Sequence, residues 1–221
     1  MINHHLSSEI LISYAAGNTS PSESLIVASH LSYCSKCRKE LEFYEKLGGE
    51  LLENAGPVEI NTTSIDKALS KIDLEETIEV DVVESPIVNS IFKNVPSVLS
   101  KYLPEGKNLT DNWNKGIGGI KYFDIDLGNS KQNTRARMLS IPPGKKLPHH
   151  GHEGQELTLV IQGGFSDENG SYDSGDVAIE DENNIHTPIS DPKEGCVCLV
   201  VYEGNLKFKG LFGPILNFLK I

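Results

Sequence analysis

Two groups of residues in this chain are of types that bind metal ions. The first is Pro148-His149-His150-Gly151-His152-Glu153-Gly154-Gln155-Glu156, with His186 thirty residues after Glu156. On a strand, His150 and His152 share one face, because side chains alternate with a period of two. Glu156 must then come from the following strand or its leading turn. Two further predicted strands precede His186, a separation that a barrel needs to return a fourth side chain to the same point. Three imidazoles and a carboxylate form a mixed nitrogen and oxygen set. Such a set suits Zn²⁺, Fe²⁺, Mn²⁺ or Ni²⁺ and does not favour Ca²⁺. Four ligands could close a tetrahedral zinc site or leave positions open on an octahedral ion. His149 is spare and is expected to face away from the pair. Asp173, Asp176 and Glu180 read as turn and surface residues rather than ligands.

The second group is His30-x3-Cys34-x2-Cys37. It places three ligands within one helical turn and the start of the next helix, and a fourth would complete a tetrahedral structural zinc site. His4 and His5 are both candidates, and spacing does not separate them. A redox-active CxxC is a rival reading, but such motifs normally follow a strand in an α/β fold, which this segment lacks. An inert buried pair is another. A small helical domain has a thin core, and a zinc clip there would contribute directly to folding. Cys196 and Cys198 form a separate CxC on an apolar run, read as buried core residues with redox participation as the alternative.

The elements that must carry these groups divide the chain. Ser7 can cap a first short helix, and Gly17 can end it. Ser20-Pro21-Ser22-Glu23 is a capping box with proline at the first helical position. A third helix is expected over about 35–52, with Leu41, Phe43, Tyr44, Leu47, Leu51 and Leu52 as its apolar positions. A fourth is expected over 63–71. Residues 73–95 read as an acidic linker. Beyond it the pattern becomes β: 135–141 alternates, 157–161 is a dense apolar run, and Asn169-Gly170 marks a hairpin. Strands are also expected over 177–179 and 197–202. Many short strands between Gly, Pro, Asn and Asp turns indicate a sandwich or barrel. The expected domains are therefore 1–72 (helical), 73–95 (linker) and 96–221 (all-β and metal-binding).

Charge restricts the partners. Of the formal net charge of -11, the first 95 residues carry -8, with 7 basic and 15 acidic side chains. That sign disfavours direct binding to a nucleic-acid backbone. It suits a basic protein partner, although acidity also serves solubility. No apolar run is long enough to span a bilayer. No Lys or Arg precedes Lys36 and no apolar block opens the chain, so no secretory signal and a cytoplasmic location are expected.

His5, His30, Cys34 and Cys37, spaced H-x24-H-x3-C-x2-C, resemble the zinc-binding anti-sigma signature. Gly144-x5-His150-x-His152-x3-Glu156-x6-Gly163 resembles the first cupin motif, and Gly175 with His186 the second. The wider cupin pattern has a proline and glycine shortly before that last histidine, where Glu182-Asn183-Asn184-Ile185 stands here. The order of the two motifs is that of the ChrR-type anti-sigma factors. The resemblance implies a multidomain α + β protein, with a small zinc-binding helical domain followed by an all-β cupin (double-stranded β-helix) barrel. It favours His5 over His4, making His5, His30, Cys34 and Cys37 the structural zinc ligands and His150, His152, Glu156 and His186 the cupin ligands. It implies that the helical domain inhibits an extracytoplasmic-function sigma factor. The cupin domain would sense a stress such as singlet oxygen. The rival reading is a metalloenzyme, since cupins with three histidines and a glutamate include iron dioxygenases and metal isomerases. No additional acid–base group stands at a spacing that would specify such chemistry.

Overall fold

The computed structural model describes residues 2–61, 63–72, 95–104, 106, 108–128, 134–204 and the backbone of 206–208. The expected linker thus lies, but for Val95, outside the described residues. Among the described residues five helices come first: α1 (Ser8–Ala15), α2 (Pro21–Tyr33), α3 (Ser35–Glu53), α4 (Thr63–Ile72) and the single turn α5 (Ser97–Ser100). Their starts follow from local chemistry. Ser7 caps α1 by accepting from the Ile10 amide, and Ser20 and Glu23 form the reciprocal capping box of α2, with Pro21 at its first position. At α3 the capping atom is a sulfur: Cys34 Sγ accepts from the Cys37 amide at 3.4 Å. Among the described residues no helix is long and apolar enough to cross a membrane.

Eleven strands follow: β1 (Asn114–Lys115), β2 (Lys121–Ile125), β3 (Thr134–Ile141), β4 (His150–His152), β5 (Glu156–Ser166), β6 (Ser171–Asp173), β7 (Val177–Glu180), β8 (Ile185–His186), β9 (Ile189–Ser190), β10 (Cys196–Glu203) and β11 (Leu206–Phe208). Their ladders are antiparallel. One sheet runs β1-β2-β3-β10-β5-β6, with β7 and β9 also paired to β5, and a smaller sheet runs β11-β4-β8.

The expected closed barrel is corrected by this topology. The large sheet ends on β1 and β6, and these do not pair with each other among the described residues. Strands β4 and β8, which carry three of the predicted ligands, belong to the separate small sheet. The physical reason lies in β5. Its first half, Glu156 to Leu159, pairs with β7, whereas Gly164 to Ser166 pair with β6 and β9. The change of neighbour falls at Gly163, which has φ +70° and faces Gly195 and Cys196 at the start of β10. The strand bends there and changes partners instead of carrying one ladder round to closure.

Strand β5 is buried from Glu156 through Ile161, which explains a dense apolar run in place of alternation. On one side Leu157, Leu159 and Ile161 join Met138, Leu199 and Val201. That face is covered by Leu25, Ile26 and Val27 of α2, together with Leu99 of α5. On the other, Val160 packs with Phe165, Tyr172, Ala178, Cys196 and Cys198. Helices and sheet therefore share one hydrophobic core, and Cys34 and Cys37 belong to it. By contrast, α3 from Phe43 onward and α4 leave apolar side chains uncovered: Phe43, Leu47, Leu51 and Leu52, then Ile65 and Leu69.

Candidate metal centres

The capped start of α3 sets Cys34 and Cys37 one turn apart, and the last turn of α2 brings His30 against them. His30 Nε2 lies 3.3 Å from Cys37 Sγ. His5 Nδ1 lies 3.3 Å from Cys34 Sγ and 3.8 Å from Cys37 Sγ. The four ligand atoms all fall within 4.8 Å of one another. His4 is elsewhere, with its ring 4.4 Å from that of Tyr172. His30 Nδ1 is 2.9 Å from the Gly175 carbonyl oxygen, an arrangement that holds the proton on Nδ1 and leaves the Nε2 lone pair facing the sulfurs. Burial lowers the His30 pKa to about 4, so its ring is neutral. Burial also raises the Cys37 thiol to about 11. A bound cation would reverse that preference by stabilising the thiolate. Two imidazoles and two thiols in a compact group, buried but for His5, fit a tetrahedral metal site.

The second centre is built on β4 and β8. His150 is in register with His186 across this ladder, and His152 follows two residues on along β4. His152 Nε2 and His186 Nε2 are 3.3 Å apart, and the ring centroids of the three histidines are 4.7–5.3 Å apart. All three are buried. His150 Nδ1 bonds the Pro148 carbonyl at 2.7 Å, and His186 Nδ1 bonds Asp167 Oδ2 at 2.8 Å. Each bond holds a proton on Nδ1, so the lone pair that can ligate is on Nε2. Burial takes the pKa of His150 to about 4 and of His152 to about 3, so both rings are neutral and ready to bind a cation. Glu156, the fourth expected ligand, stands beside this trio. Its Oε2 is 3.4 Å from His152 Nδ1, a buried nitrogen that makes no hydrogen bond, and its Oε1 accepts from the Thr158 hydroxyl. Burial raises its carboxyl to about 7. His149 faces away and bonds Thr187 Oγ1.

A family described as the ChrR Cupin-like domain matches residues 109–206. The Anti-sigma-E factor ChrR of Cereibacter sphaeroides is 34% identical over 218 residues, 98% of this chain and 97% of that protein. The chain belongs to the ChrR family of anti-sigma factors. A crystal structure of Rhodobacter sphaeroides SigE in complex with the anti-sigma ChrR aligns with a TM-score of 0.71 at 33% identity, covering 92% of this chain and 100% of that one.

Two neighbours of the histidine trio in this ChrR-family chain escaped sequence reasoning. Asp167 and Glu180 converge on His186 Nδ1, at 2.8 and 3.9 Å, with both carboxylate side chains buried. Glu180 is therefore not a surface residue, and burial raises its pKa. Asp176 is likewise corrected: it is wholly buried, and only Asp173 of the three is exposed. Alternation along Val177, Ala178, Ile179 and Glu180 was the available signal for Glu180. Asp167 was hidden by its turn: Oδ1 accepts from the Asn169 and Gly170 amides, as a turn aspartate does, while Oδ2 serves His186.

Proposed function

We propose that this chain binds and inhibits an extracytoplasmic-function sigma factor. It releases that factor on oxidative stress such as singlet oxygen, sensed through the metal-binding β half. The observation that carries this reading is the uncovered apolar stripe of α3 and α4. It belongs to a chain whose likeness to an anti-sigma factor runs almost end to end. Phe43, Leu47 and Leu51 recur at every fourth residue, so they lie on one helical face. Their exposures are 61%, 48% and 68%. A stripe of this kind marks a protein interface. The acidic surplus of the first 95 residues draws a basic partner towards it.

The metals follow from the donors. His5, His30, Cys34 and Cys37 hold Zn²⁺, for which two thiolates and two imidazoles are a closed structural set. His150, His152 and His186, with Glu156 beside them, hold Zn²⁺ or else Fe²⁺, Mn²⁺ or Ni²⁺, the alternatives that nitrogen and oxygen donors admit. Residues 1–72 form the inhibitory part, 73–95 the acidic linker, and 96–221 the sensing part. The protein acts in the cytoplasm, without membrane attachment or direct contact to nucleic acid. The likeness to an anti-sigma factor over 98% of the chain favours sensing over catalysis at the histidine trio.

The test is to load the purified protein with zinc and offer it the extracytoplasmic-function sigma factors of its own genome. A stable complex with one of them, which blocks transcription from that factor's promoter, is the expected result. Failure to bind any of them with metal present refutes the proposal.

A further inference from the structure

Asp176 is an acidic side chain with no exposure to solvent, far in sequence from the N-terminal centre. A carboxylate is costly to bury unless its oxygens are satisfied. Here both are. Oδ1 accepts from the backbone amides of Asn3 at 2.7 Å and His4 at 3.0 Å, and Oδ2 accepts from the Asp173 amide at 3.0 Å. The turn between β6 and β7 thus grips the first residues of the chain from 172 positions away. The grip is two-sided, since the Val177 amide donates back to the His4 carbonyl at 3.4 Å. Gly175, with φ +93°, leaves room for Ile2: a Cβ there would stand 3.0 Å from Ile2 Cδ1.

The residue after His4 is His5. With the His4 peptide pinned on both its amide and its carbonyl, the direction of the His5 side chain is set. Its Nδ1 then falls within reach of both cysteine sulfurs. The same turn supplies the Gly175 carbonyl that orients His30. From this juxtaposition we infer that Asp176 is a positioning residue of the N-terminal metal centre, acting through His5. The helical half supplies every donor of this centre, and the β half helps to orient two of them. This rests on the reading of His5, His30, Cys34 and Cys37 as a metal site. Groups that orient a ligand from outside the coordination sphere change metal affinity by about 10–100-fold when removed.

The experiment uses the full chain loaded with Co²⁺. Only a centre containing cysteine gives thiolate-to-cobalt absorption, so its affinity is read apart from that of the histidine trio. Asp176→Ala should weaken cobalt binding at the cysteine centre by about 10–100-fold and leave the trio unchanged. Asp176→Asn keeps an oxygen for the Asn3 and His4 amides and should recover most of the loss. The same substitutions are then made in a His5→Ala background, where a residue acting through His5 has nothing left to lose. An equal loss in both backgrounds, or wild-type affinity in Asp176→Ala, overturns the inference. If Asp176→Ala does not fold, the cycle is run with Asp176→Asn, whose lost Asp173 bond leaves a smaller but His5-dependent effect. Absence of thiolate-to-cobalt absorption in the unsubstituted protein overturns the metal reading itself, and the inference with it.

Discussion

Replacing Leu47 and Leu51 with alanine should separate the folding of this protein from its hold on a sigma factor. Both lie on the stripe of α3 and are 48% and 68% exposed. Leu→Ala removes three carbons, about 2.4 kcal/mol at about 0.8 kcal/mol for each buried group. Only the exposed fraction is left for a partner to cover, which gives about 1.2 kcal/mol at Leu47 and about 1.6 kcal/mol at Leu51. Together that is about 2.8 kcal/mol, or about a hundredfold in Kd. The covered fractions leave at most about 1.2 kcal/mol at Leu47 and about 0.8 kcal/mol at Leu51 to the stability of the free chain, and alanine, a good helix former, offsets part of that. Titration calorimetry with the cognate sigma factor reads the first quantity and urea denaturation the second. Unchanged affinity would show that the stripe is not the docking face. A large fall in stability with affinity lost in proportion would show that these leucines serve the fold instead.

Three further outcomes are expected. Replacing His150 by alanine and Glu156 by glutamine should leave basal sigma binding intact and abolish release under a singlet-oxygen source, measured on the assembled complex; loss of basal binding would contradict the proposed division of labour. Stripping metal with a chelator should lower the melting temperature by about 5–11 °C, taking about 2.7 kcal/mol for a site a hundredfold above its Kd, with re-addition of zinc restoring it. Gly163→Ala should cost about 2–5 kcal/mol by denaturant midpoint: a left-handed φ costs about 1–2 kcal/mol, and the new Cβ would overlap the Gly195 carbonyl oxygen.

What could be read from the chain was what its local chemistry decides. Ser20, Pro21 and Glu23 announce a helix start with three separate signals, and α2 begins there. Asp167 to Gly170 announce a hairpin, and β5 turns into β6 at those residues. The histidine trio was legible because β4 supplies two members two residues apart. What was not legible is non-local. Strand β10 inserts between β3 and β5, and no local pattern in Cys196 to Glu203 names those partners. Closure into a barrel depends on such pairings, so alternation cannot tell an open sheet from a closed one. The roles of Asp167 and Asp176 were hidden for a related reason. A carboxylate beside a glycine or asparagine suits a turn equally well whether its second oxygen meets water or a buried partner.

The hydrogen bond from His30 to Gly175 spans 145 residues. Synthesis proceeds at about 5–20 residues per second, so Gly175 emerges about 7–30 s after His30. Throughout that interval Cys34 and Cys37 are outside the ribosome, but the turn that seats His5 and orients His30 does not yet exist. The thiols then lack the β part of the core that later covers them, and are more open to oxidation or to capture by the wrong cation. Each newly made molecule therefore passes through a window of chemical vulnerability set by its own gene length. Oxidising conditions would act on nascent chains before they act on finished ones.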